Sequence, residues 1–136
     1  MDFSPTLSEL ERAAEIVYRH MSATPQIQWP LLSARAGCDV WVKHENHTPI
    51  GAFKVRGGLV YLDHLKRDVP DIKGIISATR GNHGQSMAFA ALRAGLRATI
   101  VVPQGNNPEK NTAMKALGAD LIEYGSDFQE AFEQTA

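Results

Sequence analysis

The sequence predicts an α/β protein: a parallel open sheet with flanking helices. Two observations carry this. From Lys73 onward, short runs of β-forming residues alternate with helical patterns: strand, helix, strand, helix, strand, helix. Turn and capping residues punctuate the runs, with Gly95 after one helix, Pro103 after a strand and Gly118 after the next helix. Alternation at this spacing means right-handed βαβ units and a parallel sheet covered on both faces.

The elements follow in order. Thr6 and Glu9 have capping-box spacing. Leu7, Leu10, Ala14, Val17 and Met21 then recur at helical intervals, which predicts an N-terminal helix. Thr24, Pro25 and Pro30 break that pattern. Asp39–His44 is rich in β-formers and alternates, so it reads as a strand. After Pro49 and Gly51, the residues Val55, Leu59, Leu62 and Leu65 mark one face of a second helix. Gly74–Ala78 is a short apolar strand. Gly81–Ala94 is a helix closed by Gly95, and Arg97–Val102 is a strand. Asn107 is a good N-cap with Pro108 at the first helical position, and that helix ends at Gly118. Ala119–Tyr124 is another strand. Asp127–Ala136 begins another helix, whose pattern of Phe128, Ala131 and Phe132 runs to Ala136 without a cap. A piece of a longer chain is therefore expected, with a naturally short protein as the alternative.

Composition narrows the classes of function. The chain has 136 residues, 43% hydrophobic and 21% charged, which suits one globular domain. A formal net charge of −1 gives no electrostatic basis for nucleic acid or an anionic membrane as partner. No apolar run approaches the roughly 20 residues needed to span a bilayer. Met1–Glu15 carry Asp2, Glu9, Glu11 and Glu15, so no secretory signal is expected. Cys38 is the single cysteine, which excludes an internal disulfide and fits a reducing, cytoplasmic compartment. No metal-ligand set is read in the chain.

Two segments stand at strand-to-helix junctions, where open parallel sheets place their ligands. In Lys43–Gly58, Gly51 permits a tight turn and Lys54 follows in the first turn of a helix. The positive end of that helix, and semi-buried surroundings from Phe53 and Val55, would lower the pKa of its amine. Such a lysine forms a Schiff base with an aldehyde. The alternative is an exposed helix lysine beside Arg56. In Ser77–Ser86, Gly81 and Gly84 flank Asn82 and His83. Exposed N–H groups there make an anion site, though a nucleotide phosphate or a plain tight turn would use the same residues. The spacing is neither GxGxxG nor GxxxxGK[ST]. His83 taken alone is more often a structural residue at a helix start than a catalyst.

Together the two segments resemble the fold-type II pyridoxal-phosphate (PLP) enzymes, the family of threonine dehydratase and serine racemase. That family carries K-x-E-x-x-x-x-x-G-[SA]-F-K-x-R-G, matched by Lys43, Glu45, Gly51, Ala52, Phe53, Lys54, Arg56 and Gly57. It also carries S-x-G-N-H-G-Q, matched by Gly81, Asn82, His83, Gly84 and Gln85, with Thr79 in the place of the serine. Val101–Pro103 and Lys110–Ala119 are similar as well, so the resemblance covers nearly the whole chain. It implies a tryptophan synthase β-like fold. Residues 1–136 would be the N-terminal part of a catalytic domain, with about 53–136 forming most of a small βαβ subdomain.

By the same resemblance, Lys54 would hold the PLP cofactor as a Schiff base and later move the substrate's α-proton. Phe53 would pack beside the ring, and Asn82 would bond its hydroxyl. Thr79, Arg80, Gly81, Asn82 and His83 would receive an amino-acid substrate, with Gln85 supporting that loop. The activity implied is dehydration and deamination of a hydroxy amino acid such as L-threonine or L-serine, by a full-length homo-oligomer. Arg80 stands where racemases of the family place a serine. An arginine stays protonated and is a poor proton shuttle, which favours β-elimination over racemisation. Arg80 would either meet a second carboxylate, as in 3-hydroxyaspartate, or point to solvent. Ala52 replaces a serine common in relatives. The phosphate cradle, the residue facing the ring nitrogen and the cation ligands are expected beyond Ala136. A racemase, a 3-hydroxyaspartate dehydratase and a non-catalytic truncated βαβ module are the alternatives.

Overall fold

A computed structural model describes residues 4–135. Helix α1, Leu7–Tyr18, starts at a capping box in which Thr6 Oγ1 accepts from the Glu9 N–H and the Glu9 carboxylate accepts from the Thr6 N–H. Strand β1 is Gln26–Gln28, helix α2 is Pro30–Ala36 and strand β2 is Trp41–Lys43. A 3₁₀ turn, Glu45–His47, leads into helix α3, Lys54–Asp68. Then come β3, Gly74–Ala78; α4, Asn82–Ala94; β4, Arg97–Val102; α5, Pro108–Ala116; β5, Asp120–Glu123; and α6, Phe128–Glu133.

The alternation expected from Lys73 onward is present. The sheet has order β3-β4-β5, all parallel, with Ile76 opposite Thr99 and Ile100 opposite Leu121. Ala98, Ile100 and Val102 of β4 point to one face and join the core with Met87 and Ala91 of α4. Val101 points to the other face and is also fully buried. Helix α6 packs on β3 and β4 and buries Ala131, so both faces at the sheet's centre are covered. The caps expected at Gly95 and Asn107 are present. Gly118 lies one residue past the cap of α5, at φ 86°. The last residue of the expected final helix, Ala136, lies outside the described residues.

Three expectations need correction. Pro25 and Pro30 bracket more than a break: β1 pairs antiparallel with β2, and Pro30 is the first residue of α2. A three-residue strand, Gln26–Gln28, carries too little pattern to announce itself. The strand expected over Asp39–His44 narrows to Trp41–Lys43 for the same reason, since its length is set by that short partner. Leu7 and Leu10 stay exposed, because α1 buries only its C-terminal half, with Ile16 and Val17, where it meets α3.

The closest packing in the molecule is between α3 and α4. Val55, Leu59 and Leu62 of α3 meet Met87 and Ala88 of α4 in the core. These two helices begin at the two motif-bearing loops, so their contact sets the distance between them.

Candidate active site

The loop before α3 is held by a network of side chains. Arg56 reaches back to Glu45 with two hydrogen bonds, Nε to Oε2 at 2.7 Å and a terminal nitrogen to Oε1 at 2.9 Å. Thr24 Oγ1 donates to Glu45 Oε1 at 2.6 Å, and Lys43 Nζ donates to the Thr24 carbonyl at 3.1 Å. The bidentate Arg56 fork and the Thr24 hydroxyl hold the Glu45 carboxyl down to about 2. Nearer the lysine, Thr48 Oγ1 accepts from the Ala52 N–H and donates to the Ala52 carbonyl, each at 2.9 Å. Gly51 turns between them at φ 66°, a conformation that side chains other than glycine's resist.

Lys54 is the first residue of α3, as its spacing from Gly51 predicts. It is exposed, and so is Phe53, at 63%. The semi-buried setting expected from Phe53 and Val55 is thus half right. Val55 is fully buried on the core face, whereas Phe53 and Lys54 face a cavity left open on one side. The amine lies 5.6 Å from the centre of the Phe53 ring and has no carboxylate partner among the described residues.

The second loop is organised by one hydroxyl. Thr79, buried, accepts at Oγ1 from the N–H of Gly81 at 3.1 Å and of Gly84 at 3.3 Å. Its own N–H donates to the Val101 carbonyl of β4. Gly84 permits this closure: a Cβ there would collide with Thr79 and lie 2.5 Å from Met114 Sδ. Gln85 supports the loop through its backbone, its N–H donating to the Gly81 carbonyl at 3.1 Å. The first N–H groups of a helix have no intrahelical acceptor. Since Thr79 takes those of Gly81 and Gly84, the ones left to receive an anion are those of Asn82 and His83, both exposed. The Gly81 N–H, expected among the donors to a substrate, is engaged here by the Thr79 hydroxyl.

A cavity of about 750 Å³ joins the two loops on one side. Phe53, Lys54 and Gly57 of the first loop and helix line it together with His83 and Met87 of α4. Its longer part runs between α3 and the edge of β3, past Tyr61, Ile75 and Ile76. Thr79, Arg80, Gly81 and Asn82 lie outside its lining. Partial burial, and then the charge of Lys54, push the His83 imidazole below its ordinary range. Arg80 is exposed and forms no ion pair among the described residues.

A model of the pyridoxal-phosphate dependent enzymes matches residues 17–136. The chain belongs to this family. A biosynthetic L-threonine dehydratase of Haemophilus influenzae is 31% identical over 128 residues, covering 94% of this chain and 25% of that protein. Among solved structures, a PLP-dependent aspartate racemase superposes with a TM-score of 0.87 at 28% identity, over 98% of this chain and 43% of its own. A processed threonine deaminase isoform of Solanum lycopersicum gives 0.80 at 29%, over 99% and 40%. The chain therefore spans about a quarter of the length of the dehydratase it matches.

Sequence reasoning named Lys54, Asn82 and His83 as candidates and missed three residues that hold the entry to α3. Thr24 bonds Glu45 from 21 residues away. Thr48 clamps Ala52, and Ser86 donates to the Lys54 carbonyl across 32 residues. The only local signal was the Lys43, Glu45 and Arg56 pattern, whose common centre is Thr24. Among the described residues no three His, Cys, Asp or Glu side chains are grouped to hold a metal ion, and no helix is long and apolar enough to cross a membrane.

Proposed function

We propose that the protein carrying this chain is a PLP-dependent ammonia-lyase. It would convert a hydroxy amino acid such as L-threonine or L-serine to a 2-oxo acid and ammonia. Residues 1–136 would be the N-terminal part of its catalytic domain, with about 53–136 forming most of a small subdomain. The observation that carries this is the shared cavity: the unpaired Lys54 amine at the start of α3 opens into the same space as His83 at the start of α4. The residues present fit the cofactor. A free primary amine suits an aldehyde, an aromatic ring lies beside it, and two unused N–H groups suit a carboxylate.

When bound, the cofactor supplies an electron sink for charge left at the substrate's α-carbon. The chain's own residues have separate tasks. Lys54 Nζ would hold the cofactor through its aldehyde and would take the substrate's α-proton. Asn82 would donate a hydrogen bond to the ring hydroxyl, and Phe53 would shield the ring from water. The N–H groups of Asn82 and His83 orient the substrate carboxylate. Partial burial and the charge of Lys54 favour the neutral form of the His83 imidazole. The water lost from the β-carbon is balanced by the water consumed when ammonia is released.

Full length, the protein is further proposed to be a cytoplasmic homo-oligomer. The exposed apolar side chains of Leu31 and Trp41 are of the kind a subunit contact covers.

Borohydride reduction of the full-length protein with PLP, followed by peptide mapping, tests the assignment. The label is expected on Lys54, and Lys54→Ala is expected to remove it and to lower threonine deamination by roughly four orders of magnitude. Label on another lysine, or none, overturns it. Arg80 is exposed and lies outside the cavity lining, as an arginine that points to solvent does; a reading in which it meets a further carboxylate requires the bound substrate to reach it. Faster turnover of 3-hydroxyaspartate than of threonine in the same assay would select it.

A further inference from the structure

Ser86 lies on the second turn of α4 and is only 1% exposed. Its hydroxyl donates to the backbone carbonyl of Lys54 at 2.7 Å. The partner is thus the first residue of α3, across 32 positions of sequence. That helix start has no side-chain cap of its own at Phe53. Gly58, four residues after Lys54, makes the bond possible: a Cβ there would collide with the Ser86 hydroxyl and lie 3.0 Å from the Ser86 carbonyl oxygen. One hydroxyl therefore ties the turn that carries the amine to the helix that presents Asn82 and His83.

We propose that Ser86 is a positioning residue for Lys54, fixing the lysine's main chain against α4 so that its amine reaches into the cavity shared with His83. This rests on Lys54 being the amine that captures the aldehyde. Thr48 clamps the loop from the preceding side through Ala52, and Ser86 supplies the anchor on the following side. Without it the first turn of α3 keeps its packing but loses its only hydrogen bond to α4 that involves Lys54. A displaced amine reacts more slowly.

The test uses the full-length protein, PLP and borohydride, read by peptide mapping as the labelling of Lys54 relative to exposed Lys115. The ratio within each sample cancels differences in protein quantity. Wild type is expected to favour Lys54 strongly. Ser86→Ala is expected to lower the ratio about tenfold, as misplacement of a reacting group does. Ile100→Val, a truncation at a fully buried core position, controls for general loss of stability and is expected to leave the ratio as in wild type. Should the alanine variant not fold, Ser86→Cys keeps a donor, bulkier and weaker than the hydroxyl, and is expected to lower the ratio in part. An unchanged ratio in whichever Ser86 variant folds overturns the proposal, as does an equal fall in Ile100→Val. No preference for Lys54 in wild type overturns the cofactor assignment itself, and this proposal with it.

Discussion

At the start of α4 a single hydroxyl serves two backbone donors, and its removal leaves both without a partner. Thr79 Oγ1 accepts from the buried Gly81 and Gly84 N–H groups. Burying a donor without an acceptor costs more than the bond contributed when made. Thr79→Val keeps the shape and removes the acceptor. It is expected to lower unfolding free energy by about 1–3 kcal/mol, measured by urea denaturation. Thr79→Ser, which keeps the oxygen, is expected to cost far less. Equal losses in the two variants would show that the hydroxyl is incidental to the turn. The same residue explains why a serine and a threonine are interchangeable at the head of this motif: the turn needs an oxygen on Cβ.

At the scale of elements, the entry to α3 depends on an ion pair that is mostly shielded from water. Glu45 and Arg56 are each about a quarter exposed at the side chain, at 22% and 25%. The Glu45 carboxyl is depressed from 4.5 to about 2, chiefly by the Arg56 hydrogen bonds. A group whose folded pKa lies below its unfolded value stabilises the fold above the unfolded value, and that stability is lost as pH falls through the folded one. The window for Glu45 is therefore from pH 4.5 down to about 2. Thermal midpoints followed over this range are expected to fall more steeply in wild type than in Glu45→Gln, which has no carboxyl to titrate. At neutral pH the variant is expected to be the less stable of the two. Parallel pH curves would mean that the pair contributes nothing to folding. The motif residues Lys43, Glu45 and Arg56 thus act on the loop that delivers Lys54, and none of the three has to touch a substrate.

At the scale of the whole molecule, the three-stranded sheet is covered at its centre and open at β3. Ile76 on that edge strand is 48% exposed, and the cavity runs along it. An apolar edge with unpaired main-chain groups is a template for pairing with another chain. The 136-residue chain is expected to self-associate with rising concentration, and Ile76→Lys is expected to reduce this, as read by light scattering. Scattering that is independent of concentration in the parent chain would refute the idea.

The division between what could be read along the chain and what could not follows from range. The βαβ order from Lys73, the Asn107 and Gly95 caps and the starts of α3 and α4 were legible, because period, caps and turn glycines act within a few residues. Lys54 and the Asn82–His83 turn were named chiefly by resemblance to the family's two motifs; what the local residues carried was a helix start soon after a glycine in each case. The pairing of β1 with β2 was not legible, nor was the exposure of Leu7 and Leu10. Both depend on which surfaces happen to meet. The same holds for Thr24 and Ser86. Thr24 looks like a breaker before Pro25, and Ser86 like one more small residue in a helix. Each acquires its role from a partner on another element, 21 to 32 residues distant for Thr24 and 32 for Ser86. Local physical chemistry set the helix starts at which the candidate groups sit, whereas their spacing and support came from packing α3 against α4, which no window of neighbouring residues contains.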